Sequence, residues 1–213
     1  MKRRSAGIPP LPSHFPVVHL AIDLDEDNIS CIPDADSFVE KERKFADTLR
    51  KHNIPTICVT FPKGQTSFHL VPGQPGDTTV RPEKVLQSHG LQKFRVRADE
   101  DILVKGRENA FSGAVLTARL LGLRTKKVIL TGGVTGVCIA ATAAGATSSG
   151  FEVLAACDLM YSPTASKPEE HQQQLQKALS AQGTQIKKKI TLTNQSQILN
   201  QVAPKKSKAP TLA

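Results

Sequence analysis

The chain has 213 residues, of which 39% are hydrophobic and 22% are charged. These values are typical of a folded globular domain and argue against wholesale disorder. No segment approaches the roughly 20 consecutive apolar residues that a membrane span needs, and prolines closely follow the basic start, which argues against a signal peptide. Four cysteines without paired spacing favour free thiols in a reducing compartment, so we expect a cytoplasmic protein without a membrane association.

The formal net charge of +9 is concentrated at the two ends of the chain. Basic residues at 2–4 and lysines between 205 and 208 contribute six of these charges and leave +3 for the body. Basic tails bind polyanions non-specifically, and an aromatic content of 4% argues against a base-stacking surface. We therefore do not expect nucleic-acid binding as a function, and any such binding should be non-specific and through the tails. The predicted organisation is a flexible basic segment over 1–14, one domain over 15–202, and a flexible basic tail over 203–213.

Strand-like and helix-like segments alternate along the domain. Short apolar runs predict strands, and apolar positions at helical spacing in charged or alanine-rich stretches predict helices. In chain order, the predicted elements are a strand at 17–23, a helix at 36–53, strands at 54–61 and 101–105, a helix at 113–123, a strand at 127–130, a helix at 136–149, a strand at 152–157, a helix at 168–182 and a strand at 185–193.

This alternation predicts an α/β fold with three layers, in which helices cover both faces of a mostly parallel sheet of about six strands. Lys187, Lys188 and Lys189 in the last strand are typical of an exposed sheet edge, where charge discourages further pairing. The segment from Pro62 to Lys84 lacks periodicity, and connections of that length in a compact domain are usually functional or mobile.

Three polar residues follow strands or begin a helix at the edge where such sheets bind ligands. Asp23 ends the first strand, Lys105 ends the third, and Cys138 lies in the first turn of the helix that follows the fourth. A cysteine near a helix N-terminus faces free N–H groups that stabilise a thiolate. A nearby lysine would lower the thiol pKa further, and a carboxylate could accept the thiol proton.

Each of these residues also has an ordinary structural interpretation. Most free cysteines are buried small apolar residues, Asp23 is a suitable turn or helix cap, and Lys105 is a suitable surface lysine. Taken one at a time, the structural alternatives are at least as well supported as a catalytic role. A catalytic role is favoured only by the combination, because all three residues are expected at the carboxyl ends of the strands of one sheet.

The same residues resemble the isochorismatase-like cysteine hydrolases over about Val17 to Gln185. The first matching segment is Leu-Ala-Ile-Asp-Leu-Asp-Glu-Asp around Asp23, an apolar strand that ends in an acid. The second is Val-Lys-Gly-Arg-Glu-Asn-Ala-Phe-Ser-Gly, in which the lysine is Lys105. The third is Gly-Val-Thr-Gly-Val-Cys-Ile-Ala-Ala-Thr, which contains Cys138. Each segment alone is a weak signal, but three in the right order are specific.

The resemblance implies a Rossmann-like sheet and an amidase or related hydrolase without a cofactor. By this resemblance Cys138 is the nucleophile, Asp23 the general base and Lys105 the group that holds both. It also implies a cis peptide bond between Gly133 and Val134, and an oxyanion hole formed by the N–H groups of Val134 and Cys138. The expected substrate is a small amide or carbamoyl compound cleaved at a C–N bond through a thioester, and the expected assembly is a homo-oligomer.

Two departures from the family pattern concern the region after Asp23. Where the family often has Gln and then an aromatic residue, this chain has Asp25 and Asn28. The Asp25 carboxylate either raises the pKa of one of the pair by like-charge repulsion or faces away from Asp23. Because fold does not fix function, a protein with lost or secondary catalysis that serves as a scaffold is the alternative.

Other departures concern metals and the pocket. Metal-binding nicotinamidases of the family show an Asp-x-His arrangement with a further His, whereas this chain supplies only His69 in that region, so we predict no metal. Phe68 and Phe111 are candidates for a pocket wall, with a core position as an equal alternative. The presence of Cys138 favours C–N cleavage over the enol-ether cleavage of true isochorismatases, which commonly lack the cysteine.

Overall fold

The computed structural model describes residues 14–62, 78–80, 94, 96–97, 100–182 and 189–202, with only the backbone described at 78–80. Several features of the sequence analysis lie outside the described residues. These are Phe68, His69, Lys187, Lys188, the segments 1–13 and 203–213, and residues 63–77 and 81–84 of the long connection.

A seven-stranded sheet forms the centre of the domain, in the order β3-β4-β2-β1-β5-β6-β7. Every described pairing is parallel except that of β3 with β4, which is antiparallel. The predicted α/β fold with a mostly parallel sheet is therefore confirmed. The strands are β1 (Val17–Ile22), β2 (Thr56–Thr60), β3 (Thr78–Val80), β4 (Asp101–Val104), β5 (Lys127–Gly133), β6 (Glu152–Tyr161) and β7 (Ile190–Thr193).

The central strands are apolar because both faces of the sheet are covered. Val18, Leu20 and Ile22 of β1 pack into one hydrophobic cluster, while Ala21 of the same strand packs into another. Residues that alternate along a strand point to opposite faces, so one short apolar run contributes to two cores. This placement anchors the strand that ends at Asp23.

In the part of the chain that the structure describes, six α-helices and one π-helical turn accompany the strands. They are α1 (Glu26–Ile29), α2 (Ala35–Lys51), α3 (Ala114–Gly122), the turn Thr135–Ile139, α4 (Ala140–Ser148), α5 (Pro168–Ala181) and α6 (Gln195–Val202). Among the described residues, none of these helices has both the length and the apolar character needed to cross a bilayer.

Three elements were not predicted, and each lacks a periodic signal of useful length. Helix α1 has four residues and begins with its N-cap at Asp25, whose side chain accepts a hydrogen bond from the N–H of Asn28. Strand β3 has three residues within a Gly- and Pro-rich stretch. Helix α6 is tied to the sheet by Asp158, whose Oδ1 accepts a hydrogen bond of 2.9 Å from the N–H of Gln195. These elements depend on tertiary contacts more than on local pattern.

Strands β5 and β6 extend further than predicted, and both extensions border the edge that carries the polar residues. The pairing of β5 with β6 is irregular between Leu130 and Gly132, since Leu130 pairs with Ala155 and Gly132 with Met160. Gly132 has a φ of +96°, and a Cβ there would lie 2.0 Å from the carbonyl oxygen of Ile22. Only glycine allows this approach of β5 to the end of β1.

Candidate active site

The predicted polar residues meet at the carboxyl ends of three strands. Asp23 directly follows β1, Lys105 directly follows β4, and Cys138 lies in the π-helical turn after β5. The chain runs from β1 to β2 on one side, and β5 lies on the other side of β1. Ligand sites of open α/β sheets lie where the strand order reverses in this way.

Asp23 and Lys105 form a buried ion pair. The Nζ of Lys105 lies 2.8 Å from the Oδ2 of Asp23, and neither side chain is exposed to solvent. The other carboxylate oxygen, Oδ1, is buried without a hydrogen bond of good geometry from the described residues. Asp23 thus uses one oxygen for the lysine and keeps the second available beside the site.

Two further contacts fix the Lys105 ammonium. Its Nζ donates a hydrogen bond of 3.2 Å to the carbonyl oxygen of Glu108, and it lies 4.2 Å from the centre of the Phe61 ring. The ring face attracts a cation, most strongly where water is excluded. Phe61 follows β2, so a third strand end contributes to holding the lysine.

The segment after Lys105 also contacts the helix that follows Cys138. The N–H of Ala110 donates a 3.2 Å hydrogen bond to the hydroxyl of Thr142 on α4. A Cβ at Gly145 of α4 would lie only 2.3 Å from the Oδ1 of Asn109, so the helix and the segment are in close contact there. The loop that carries the lysine and the helix that follows the cysteine therefore pack directly on each other.

Cys138 is fully buried and has Asp23 and Lys105 as hydrogen-bonding neighbours. It lies in the π-helical turn Thr135–Ile139 at the start of α4, and π-helical turns are frequent at functional sites. The peptide bond between Gly133 and Val134, just before this turn, is cis. Asp23, Lys105 and Cys138 are thereby brought together, although 82 residues separate the first two.

The pKa of Cys138 differs from the sequence-based expectation. Burial raises it to about 12, and the charge of Asp23 adds to this effect while Lys105 opposes it. The expected lowering by the helix start and the lysine is therefore wrong. The physical reason is that burial disfavours a charged thiolate more than one shared ammonium favours it.

The pKa of Asp23 is raised to about 6, chiefly by burial. Lys105 lowers it, whereas the negative charge of Asp25 raises it. Burial acts to lower the pKa of Lys105, but the interactions of its ammonium with Asp23 and Cys138 together exceed this effect, so that the pKa is raised. Asp23 is thus ionised at neutral pH and still basic enough to accept a proton.

Asp25 acts on Asp23 by its charge and is itself held in place. Its Oδ2 accepts a 2.6 Å hydrogen bond from the Thr60 hydroxyl, and both oxygens accept 3.0 Å bonds from the side-chain amide of Asn28. Of the two alternatives for Asp25, like-charge repulsion agrees with the effect of its charge, which raises the pKa of Asp23. Burial raises the pKa of Asp25 as well, although these donors oppose it.

The remaining predicted site residues lie elsewhere or are not described. Phe111 belongs to the hydrophobic core and its ring lies 5.8 Å from that of Phe151, which agrees with its core alternative. Cavities of about 230 and 630 Å³, one bordered by Arg119 and the other by Val202, contain none of the three site residues. Among the described residues, no group of three or more His, Cys, Asp or Glu could hold a metal ion.

Sequence reasoning missed Phe61, Thr60 and Tyr161. The hydroxyl of Tyr161 donates a 2.6 Å hydrogen bond to the backbone carbonyl of Asp23. Tyr161 is the only tyrosine of the chain and ends an apolar strand, which is a signal that could have marked it. Phe61 and Thr60 gave no signal beyond their position at the end of β2.

Solved structures of similar fold come from several hydrolases. An isochorismatase-like hydrolase from Alkaliphilus metalliredigens is 19% identical, with a TM-score of 0.64 over 87% of this chain and 97% of the other. N-carbamoylsarcosine amidase from Thermoplasma acidophilum is 18% identical, with a TM-score of 0.61 over 85% and 97%. Pyrazinamidase of Pyrococcus horikoshii, solved in complex with zinc, is 20% identical, with a TM-score of 0.60 over 84% and 99%.

The sequence comparison identifies the family. Among curated proteins no sequence matches the chain significantly. The family model described as Isochorismatase domain, in contrast, matches residues 17–189, which is most of the chain and includes all three site residues. Family membership supports a hydrolase. The chain belongs to the isochorismatase family.

Proposed function

We propose that the protein is a cysteine hydrolase that cleaves the C–N bond of a small amide or carbamoyl compound through Cys138, Asp23 and Lys105. The observation that carries the proposal is the asymmetric use of the Asp23 carboxylate. One oxygen is paired with Lys105, while the other is available beside the cysteine. A carboxylate with a pKa of about 6 next to a thiol is suited to accept the thiol proton.

The first half-reaction forms a thioester. As the Sγ of Cys138 attacks the carbonyl carbon, its proton passes to Asp23, so a free thiolate need not accumulate despite the raised pKa of the thiol. The oxygen of the tetrahedral adduct accepts hydrogen bonds from the N–H groups of Val134 and Cys138. When the adduct collapses, the C–N bond breaks and the amine leaves with the proton held by Asp23.

The second half-reaction returns the enzyme to its starting state. Asp23, again ionised, accepts a proton from water as the water oxygen attacks the thioester carbonyl. Collapse of the second adduct breaks the C–S bond, and the proton returns to Cys138 as the acid is released. Lys105 keeps Asp23 oriented through both steps and offsets the negative charge that develops near it.

The test is turnover of a panel of small amides. Nicotinamide, pyrazinamide and N-carbamoylsarcosine are the amides after which structurally similar amidases are named. We expect ammonia release from at least one member of this chemical class, together with a mass increase on Cys138 when the reaction is stopped with acid. Cys138→Ser should abolish both signals.

Cys157→Ser is the matched control. Cys157 is also a buried free thiol, but it lies within β6 and is not part of the cluster of Asp23 and Lys105. The variant should retain turnover. If small amides and the reactive ester 4-nitrophenyl acetate both leave Cys138 unmodified while the protein is folded, the cysteine-hydrolase proposal is wrong.

A non-catalytic scaffold is the second candidate, and burial is the observation that favours it. Asp23, Lys105 and Cys138 are all fully buried, as the members of a purely structural polar cluster would be. A scaffold predicts that replacing Cys138 changes stability but no chemical reaction of the protein. The labelling of Cys138 described above separates the two candidates.

A further inference from the structure

Tyr161 connects the two halves of the candidate active site. Its hydroxyl donates a 2.6 Å hydrogen bond to the carbonyl oxygen of Asp23, and its own carbonyl accepts a 2.9 Å hydrogen bond from the hydroxyl of Thr135. Thr135 begins the π-helical turn that carries Cys138. One residue at the end of β6 therefore contacts both the strand end of the acid and the turn of the cysteine.

The Asp23 backbone has an uncommon conformation that such a contact would stabilise. Its φ is +52°, in the left-handed region that residues with a Cβ adopt rarely, although Asp tolerates it better than most. The N–H of Asp23 still pairs with the carbonyl of Val59, at 2.7 Å, as a continuation of the sheet. With this backbone conformation, the carbonyl of Asp23 contacts Tyr161 while the side chain of Asp23 contacts Lys105.

The Tyr161 ring is itself fixed by packing. A Cβ added to Gly133 would lie 2.7 Å from the ring, so the glycine before Val134 is in close contact with it. Phe38 of α2 packs edge-on at a centroid distance of 5.5 Å. The side chain is almost fully buried, so the position of its hydroxyl is set by its surroundings.

His171 of α5 extends the connection. Its Nδ1 lies 2.9 Å from the Thr135 hydroxyl. Since the single hydroxyl proton of Thr135 is donated to Tyr161, His171 must carry a proton on Nδ1 and donate it to Thr135. The hydrogen bonds then run in one direction, from the histidine to the threonine and from the threonine to the tyrosine backbone.

We infer that Tyr161 is a positioning residue. It holds Asp23 in its left-handed conformation beside Lys105, and it fixes the position of Asp23 relative to the turn that carries Cys138. The inference rests on the proposed function. Tyr161 acts through Asp23 rather than on a substrate, because its proton is already donated to a carbonyl. Errors of about 1 Å in such a site typically cost up to 100-fold in rate.

The test compares variants of the full-length chain in the acylation of Cys138 by 4-nitrophenyl acetate. Tyr161→Phe keeps the ring and removes only the hydroxyl. We expect its acylation rate at saturating ester to fall about 10- to 100-fold, with an unchanged half-saturating concentration. Thr125→Val is the matched control, because Thr125 is also a buried hydroxyl that donates to a carbonyl, that of Phe15 at 3.0 Å, far from the site. It should react at the wild-type rate.

A second pair of variants gives an answer even if Tyr161→Phe does not fold. Thr135→Val removes the hydroxyl that holds the Tyr161 backbone and should slow acylation, whereas Thr135→Ser retains the hydroxyl and should restore the rate. Wild-type rates in Tyr161→Phe, or in Thr135→Val, would overturn the inference.

A crystal structure of Tyr161→Phe separates this inference from the proposed function. We expect the φ of Asp23 to leave the left-handed region and the contact between Asp23 and Lys105 to lengthen beyond 2.8 Å. If both are unchanged, Tyr161 does not position Asp23. If the wild-type Cys138 does not react at all, the proposed function fails, while the crystal structure still determines whether Tyr161 positions the acid.

Discussion

Two buried ion pairs lie at opposite ends of the parallel strands, and they differ in how fully their carboxylates are hydrogen-bonded. At the carboxyl ends of the strands, Lys105 binds one oxygen of Asp23 and leaves the other available. At the amino ends, Arg50 donates to both oxygens of Glu100 at 2.7 Å. The N–H of Arg97 donates a third hydrogen bond of 2.9 Å to Glu100.

The comparison shows what separates a structural pair from a reactive one. A buried pair is stable when hydrogen bonds compensate both charges, and Arg50 and Glu100 do so with bidentate geometry in which both carboxylate oxygens accept. A buried carboxylate with an available oxygen keeps the capacity to accept a proton, and burial raises the pKa of Asp23 to about 6. Burial is common to both pairs, whereas only Asp23 combines an oxygen that lacks a hydrogen bond of good geometry with a neighbouring thiol, and this combination points to chemistry.

The largest effect should follow from removing the available carboxylate. Asp23→Asn is expected to lower the rate of Cys138 acylation by about 10²- to 10⁴-fold, the range for loss of a general base. The measurement is nitrophenolate release from 4-nitrophenyl acetate under single-turnover conditions. Glu100→Gln, which removes the carboxylate of the other pair, should acylate at the wild-type rate when folded. A rate for Asp23→Asn within a few-fold of wild type would remove Asp23 from the mechanism.

Breaking the ion pair of Arg50 and Glu100 should lower the stability of the fold rather than the acylation rate. Glu100→Gln leaves the Arg50 guanidinium buried with only Asp47, at 2.9 Å, as a described carboxylate partner. We expect a loss of about 3 kcal/mol in the free energy of unfolding, at the lower end of the range for breaking a buried pair. Urea denaturation measures it. Glu40→Gln, at the exposed pair with Arg43, is the control and should change stability much less. Equal losses in the two variants would contradict the comparison.

The smallest effect should be a shift of the pH profile. Asp23 must be ionised to accept a proton, so acylation should decline as the pH falls through about 6. Asp25→Asn removes the negative charge that raises the pKa of Asp23 and should move this decline to lower pH, with little change in the rate at neutral pH. The groups that act on Asp23 besides Asp25 are Lys105 and Cys138, and neither changes in this variant.

Asp27→Asn is the matched control for the pH profile, because it removes the same charge two residues further on, from an exposed position. Its profile should overlay that of the wild type, since exposed charges are screened by solvent. A shift of the same size in both variants would mean that general surface charge, rather than Asp25, sets the pKa of the acid.

The sequence by itself determined the α/β alternation and the three polar residues. The apolar runs of β1, β2 and β5 have the continuous character of strands buried on both faces, and such runs can be recognised without a structure. Asp23, Lys105 and Cys138 each adjoin an element with a clear boundary. Because parallel strands place their carboxyl ends at one edge, their proximity could be predicted from order alone.

Only the tertiary structure determined the electrostatics of the site. The sequence placed Cys138 near a helix start and a lysine, which suggests a lowered pKa, but the degree of burial that raises it depends on packing from elements distant along the chain. The contact of Tyr161 with the Asp23 carbonyl joins residues 138 positions apart. Local periodicity contains no information about such contacts, because desolvation and hydrogen-bond geometry arise from the packing of the whole domain.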